Sequence, residues 1–229
     1  MLKEKRLHRL LCGTERKDGD GMHRWERKLL NLIQDKGRSH KGDQVMKAVS
    51  RLGDKGAVWL LLTGALALRP KTRKTSTALT IALALDAATC NLVIKPLANR
   101  IRPFERDPTV RLMVPPPPDP SFPSGHTTAA FAVTTGLYQN GSRLWVPSMA
   151  MALLTATSRM YLYLHYPSDV VAGGLLGVLV GKLGTQLNDA CWDRRDKKRA
   201  QQEEDAAPSQ PSPVATKSIP RPKGSRRAT

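Results

Sequence analysis

Polar and apolar positions alternate along this chain on two length scales. Near the N-terminus the repeat is short. Trp25, Leu29, Leu32 and Ile33 recur at helical intervals with Arg24, Arg27 and Lys28 between them, and Val45, Met46, Val49 and Leu52 repeat the pattern. Both stretches predict amphipathic helices too polar to cross a bilayer, suited to a membrane interface or to packing on a protein core. From residue 57 the apolar runs lengthen: Ala57 to Leu68, Thr77 to Ile94, His126 to Tyr138, Trp145 to Leu164 and Val170 to Leu187. Three of them reach 18–20 residues, the length that a hydrocarbon core requires. The last carries Gly173, Gly174, Gly177 and Gly181, small residues at a spacing that lets helices approach closely. The pattern predicts an all-α, multi-pass membrane helical bundle of five or six spans, with interfacial N-terminal helices.

Composition refines this picture. Mean hydropathy is −0.37, a soluble-looking average produced by polar ends diluting an apolar middle. The organisation expected is a polar, mobile N-terminus over residues 1–21, a membrane domain over 22–190, and a basic, disordered, cytoplasmic tail over 191–229. Residues 200–229 in particular offer almost nothing to bury. A formal charge of +18 calls for an anionic partner: nucleic acid, a membrane surface or a phosphorylated substrate. The loops at Arg69–Lys74, Asn140–Arg143 and Cys191–Arg199 are basic, and the positive-inside bias places them in the cytoplasm. The opposite helix ends then face outside, together with the basic N-terminus unless a sixth crossing intervenes. Cys12, Cys90 and Cys191 lie too far apart for a zinc site or a disulfide framework. The basic start, Met1 to Lys17, has no apolar stretch long enough for a signal peptide.

Polar residues at helix ends in a membrane are costly and need a reason. Here they gather on the side derived as common to four ends: Lys95 to Pro103 after the second apolar run, Pro123-Ser124-Gly125-His126 at the start of the third, Ser158-Arg159 at the end of the fourth, and His165 to Asp169 before the fifth. Lys95, Arg102 and Arg159 can neutralise a dianion, and Arg matches phosphate oxygens with paired donors. Ser124 and Gly125 precede a helix whose free N–H groups can point at an anion. One histidine can attack phosphorus while the other protonates the leaving oxygen. An aspartate on the second nitrogen of the attacking histidine would fix its tautomer. Pro167 makes a turn before the fifth helix, with Ser168 or Asp169 capping it. No metal-ligand cluster accompanies these residues, and the cations can supply the charge neutralisation instead.

The three blocks, Lys95-x6-Arg102-Pro103, Pro123-Ser124-Gly125-His126 and Ser158-Arg159-x5-His165-x3-Asp169, resemble the tripartite signature of the type-2 phosphatidic acid phosphatase (PAP2) superfamily over about residues 45–188. The resemblance implies a lipid phosphate or diphosphate phosphatase acting through a phosphohistidine. In it His165 is the nucleophile, Asp169 its orienting partner, and His126 the acid that protonates the leaving group and then the base for water. Lys95, Arg102, Ser124, Gly125 and Arg159 form the phosphate cradle. It also implies no metal and no other cofactor, a location in the cell membrane, and a site on the extracytoplasmic face. The partners expected are the bilayer and a lipid phosphate, not nucleic acid; polyprenyl (undecaprenyl) diphosphate comes first, phosphatidate or phosphatidylglycerophosphate next.

Other readings remain open at this level. The same signature occurs in vanadium haloperoxidases, which are larger and soluble. A non-catalytic protein binding anionic lipids through its basic ends is a third class. Asp86 either bonds a neighbouring helix or assists the site. Asn91 either orients Lys95 or packs. Pro115 to Pro118 either shape substrate entry or simply join two ends.

Overall fold

The computed structural model describes residues 24–107 and 109–206; the N-terminal segment expected to be mobile and most of the expected tail lie outside them. Among the described residues the structure consists of helices joined by loops, with no strand. The chain forms α1 (Arg24–Lys36), α2 (His40–Gly53), a 3₁₀ turn (Asp54–Gly56) and α3 (Ala57–Ala67). A second 3₁₀ turn (Pro70–Thr72) leads into α4 (Arg73–Ala87), a π-helical segment (Ala88–Ile94) and the short α5 (Lys95–Ala98). The short α6 (Pro103–Arg106), then α7 (Gly125–Gln139), α8 (Trp145–Tyr161) and α9 (Pro167–Ala206) complete it.

Alanine, leucine and valine from α3, α4, α7 and α8 meet in one core around Trp59, Leu66, Leu79, Ala130, Val133 and Leu137. α9 packs against α7 and α4 through its glycines. A Cβ on Gly173, Gly177 or Gly181 would stand 2.7, 2.5 or 2.6 Å from the carbonyl oxygens of Ser124, Thr128 and Ala132, and one on Gly184 would meet Ala82 at 2.8 Å. Only hydrogen fits there, which is the physical content of the small-residue spacing. At the other end of α4, Asn188 Nδ2 donates to the Lys74 carbonyl at 3.1 Å, and Lys74 pairs with Asp189 at 2.8 Å.

The opposite face of α9 is bare: Leu175, Leu179, Leu183 and Leu187, one turn apart, are exposed and form an apolar stripe of the kind that lipid covers. Among the described residues two segments, Pro70–Arg106 and Pro167–Ala206, are long and apolar enough to cross a membrane. The fourth apolar run ends as a helix at Tyr161, short of Leu164. Leu162, Tyr163 and Leu164 are buried within the protein as a loop, so their apolarity reflects packing on protein, not lipid.

The two amphipathic stretches are helices, docked on the C-terminal end of α8. Gln34 Nε2 donates to the Tyr161 carbonyl at 2.9 Å, and Tyr161 Oη donates to Asp43 at 2.8 Å. Leu30 and Glu26 face inward, while Trp25, Leu29, Leu32, Val45 and Leu52 stay exposed.

The last helix corrects one expectation. Residues 191–206, expected to be part of a disordered tail, continue α9. Trp192 onward is a separate compact unit; its described residues from Asp193 to Ala206 are exposed. Arg, Lys, Gln, Glu and Ala are strong helix formers, and Asp193 with Lys197 sits at favourable i, i+4 spacing. Local propensity thus forms a helix where no core exists.

Candidate active site

Each motif block is delivered by a distinct local device. In an unbroken α-helix, at about 100° per residue, Lys95 would point away from Asp86, nine positions earlier. The π segment bonds i to i+5 and winds more slowly, returning Lys95 to the wall that Asp86, Cys90 and Asn91 also line. Asn99, at φ 40°, then ends α5 in the left-handed conformation, and the chain runs extended through Arg102. The Pro123 block opens α7 after a cis Phe122–Pro123 peptide. Tyr163, at φ 61°, folds the α8–α9 loop back so that the Leu164 and His165 N–H groups both donate to the Arg159 carbonyl, at 3.0 and 3.3 Å. Pro167 starts α9, and Asp169, in its first turn, accepts from the Tyr166 N–H at 2.9 Å.

These devices bring Lys95, Arg102, Gly125, His126, Arg159 and His165 to one cavity of about 340 Å³. The remaining two expected residues stand behind its wall. Ser124 is fully buried; its Oγ pairs with Thr127 Oγ1 at 2.9 Å and its N–H donates to the Asp169 carbonyl at 3.1 Å. Asp169 is likewise fully buried.

His165 is held in one tautomer. Its Nδ1 donates to the Ser121 carbonyl at 2.7 Å, so Nε2 carries the lone pair, and Arg102 Nη1 donates to that nitrogen at 3.1 Å. The sequence expectation puts Asp169 on the second nitrogen of this histidine. The structure gives the short contact to the carbonyl and leaves Asp169 Oδ2 3.6 Å away, where it contributes charge and position. Asp169 itself accepts from Ser121 Oγ and, at 2.5 Å, from Arg100 Nη1. Burial, outweighing the neighbouring carboxylate, pushes the His165 imidazole down to about 4. His126 approaches from α7; its Nε2 lies 3.6 Å from Asp54 Oδ1.

The cations differ in what already occupies them. Lys95 pairs with Asp119, and Arg102 Nη2 donates to the same carboxylate at 2.9 Å while its Nε donates to the Asp119 carbonyl at 2.8 Å. Burial would raise the Asp119 carboxyl, but Lys95 and Arg102 hold it below the ordinary carboxylate range. Arg159, buried in α8, hydrogen-bonds Ser158 Oγ through Nε and Nη2 at 3.1 and 3.0 Å. Among the described residues no group of three His, Cys, Asp or Glu side chains is arranged to hold a metal ion.

Four residues of this network escape the sequence motifs. Ser121 and Asp119 lie on the loop before Pro123. Arg100 occupies a free position inside the first block. Glu26, fully buried on α1, accepts from Arg100 Nη2 at 2.8 Å and from Ser168 Oγ.

Residues 75–193 match the model of the PAP2 superfamily. The chain belongs to that superfamily. It is 34% identical to the undecaprenyl-diphosphatase of Sulfolobus acidocaldarius over 134 residues, which is 57% of this chain and 63% of that protein. It is 36% identical over 131 residues to the decaprenylphosphoryl-5-phosphoribose phosphatase of Mycolicibacterium smegmatis, covering 56% of this chain and 68% of the relative. The chain therefore spans less than two thirds of the Sulfolobus relative. Among solved structures, LpxE of Aquifex aeolicus superposes with a TM-score of 0.64 at 27% identity, over 73% of this chain and 98% of that one.

Proposed function

We propose that this protein is a multi-pass membrane phosphatase that hydrolyses a lipid phosphate or diphosphate without a metal, through a phosphohistidine on His165. The observation that carries the reading is the state of that imidazole: Nδ1 is committed to a carbonyl and Nε2 keeps its lone pair beside Arg102, on the wall of a cavity shared with His126 and Arg159.

The phosphate enters between Lys95, Arg102 and Arg159, close to the Gly125 backbone. His165 Nε2 attacks phosphorus and forms the N–P bond as the bond to the leaving oxygen breaks. Protonated His126 gives its proton to that oxygen, with Asp54 Oδ1 standing 3.6 Å from its Nε2. Neutral His126 then takes a proton from water, the new O–P bond forms, the P–N bond breaks, and inorganic phosphate leaves. Asp169 opposes the positive charge that His165 gains on phosphorylation. Ser124, behind the wall, supports the start of α7 from which Gly125 and His126 project.

The membrane reading rests on the two spanning-length segments and the bare leucine stripe of α9. We place the site on the extracytoplasmic face because the loops at the far helix ends are basic. The relatives' names place the phosphate on a polyprenyl diphosphate in one case and on a polyprenyl-linked ribose in the other, so the panel takes polyprenyl diphosphate together with glycerol- and sugar-borne phosphates. The test is phosphate release by the purified full chain from a panel of lipid phosphates, with His165→Ala as control. Release from at least one lipid, abolished by His165→Ala and unchanged by EDTA, is expected. Equal release by the His165→Ala protein would sink the reading, and so would halide oxidation with added vanadate in place of phosphate release.

A further inference from the structure

One polar group in the cavity has no part in the chemistry above. Asp86, in the last turn of α4, lines the cavity and is only 8% exposed, and its Oδ1 has no hydrogen-bond partner among the described residues. A buried carboxylate oxygen left without a donor is costly, so its persistence calls for a partner that arrives from elsewhere. Lys95, the cation on the same helical run, is engaged by Asp119. The π segment is what aligns Asp86 with the phosphate cradle on one wall, and helix side chains tilt toward the N-terminus, which carries the Lys95 ammonium back toward the Asp86 turn.

The chemistry of an occupant follows from the acceptor. An ionised carboxylate only accepts hydrogen bonds and repels a second phosphate. It fits a hydroxyl. The cavity, at about 340 Å³, exceeds what one phosphate fills, roughly 60–90 Å³ taken as two or three water volumes. Room remains for the group to which the phosphate is attached.

We propose that Asp86 forms a second subsite, accepting a hydroxyl carried by the group esterified to the reacting phosphate, so that the enzyme selects lipid phosphates whose phosphate is borne by a polyol such as glycerol or a sugar. The proposal rests on the reading of the cavity as a lipid phosphatase site. Asn91, one π turn from Asp86 on the same wall, adds an amide that can donate to or accept from the same polyol.

The test uses a matched pair of substrates: 1-acylglycerol 3-phosphate, with its free 2-hydroxyl, and the 2-deoxy compound. The wild-type full chain in detergent prefers the hydroxylated substrate in kcat/KM by on the order of tenfold to a hundredfold, the range for a hydrogen bond to a charged group. Asp86→Leu collapses that ratio toward one, and Asp86→Glu restores part of it. A wild-type ratio near one overturns the proposal. So does an Asp86→Leu protein that loses rate on both substrates with the ratio intact, which would assign Asp86 to packing or to holding Lys95. Failure of the phosphatase reading looks different: no lipid of the panel, polyprenyl diphosphate included, releases phosphate, whereas release from polyprenyl diphosphate with none from either member of the pair overturns the subsite proposal alone.

Discussion

Arg100 donates from Nη1 to Asp169 Oδ1 at 2.5 Å, and so fixes the carboxylate that stands behind the His165 imidazole. Its second nitrogen donates to Glu26 Oε2 at 2.8 Å, and its guanidinium lies 4.0 Å from the centre of the Tyr166 ring. One planar cation thus separates two carboxylates that are both fully buried. Removing it takes a counter-charge from each of them. Arg100→Ala is expected to destabilise the fold by about 3–5 kcal/mol and to reduce kcat more than it raises KM, because the damage falls on the support of the proposed nucleophile. Arg100→Lys keeps the charge but not the fork, and should recover part of the stability and less of the rate. Thermal unfolding in detergent and steady-state kinetics measure the two effects; a variant with wild-type kcat would separate Arg100 from catalysis.

The acid limb of the pH profile should be displaced. His165 titrates near 4 in the folded protein, against 6.5 for an unperturbed imidazole. In the proposed mechanism the neutral form attacks, so the rate carried by His165 holds as pH falls through 6.5 and is lost as pH falls through about 4. The free enzyme's ionisation appears in kcat/KM, and a limb in that parameter assigned to His165 near 6.5 would contradict the burial account. The same shift acts on stability. Between about 4 and 6.5 the unfolded chain binds the proton that the folded site excludes, so this contribution is full above 6.5 and falls away through 4.

In the proposed mechanism Asp119 holds the place that a phosphate would take on two of the cations. It pairs with both Lys95 and Arg102, so an entering dianion competes with a carboxylate of the chain itself. Asp119→Ala should therefore tighten inhibition by orthovanadate, a mimic of five-coordinate phosphorus, by about tenfold, the equivalent of one charge-assisted hydrogen bond. KM should fall with it. Titrating vanadate against wild type and variant decides the matter: weaker inhibition in the variant would mean that the carboxylate orients the cations for phosphate.

The sequence makes the cavity legible because its wall is built from residue types that have few other reasons to sit at the ends of apolar helices. Six of the eight expected residues line one cavity. What it hides has physical causes. Glu26 lies among Arg24, Arg27 and Lys28 and looks like part of a solvated face; the partner that buries it is 74 positions away. Arg100 and Asp119 sit in connecting segments with no periodicity to betray a direction. The π segment is a change of hydrogen-bond register, which leaves no composition of its own, yet it decides that Asp86 and Lys95 share a wall. Ser124 and Asp169 have the expected chemistry, but their N–H, hydroxyl and carboxylate groups are turned into the protein.

Two neighbouring glycines of α9 provide a paired test of how the bundle is held. A Cβ on Gly177 would meet the Thr128 carbonyl oxygen at 2.5 Å and Phe131 Cβ at 2.7 Å, atoms of a packed helix that cannot turn aside. A Cβ on Gly174 would meet only the Phe131 ring, at 3.9 Å, an ordinary contact. Gly177→Ala must push α9 off α7 and should cost about 1–3 kcal/mol, the usual range for overpacking. Because α9 begins beside His165 and carries Asp169, activity should fall with stability. Gly174→Ala adds a better helix former, worth about 0.8–1.0 kcal/mol in a helix interior, and should leave stability unchanged or raise it. Melting temperatures and phosphatase rates of the two variants, measured side by side in one detergent, should move in opposite directions or leave Gly174→Ala at wild type. Equal destabilisation by both would show that the glycines serve helix flexibility and not the close approach of α9 to α7.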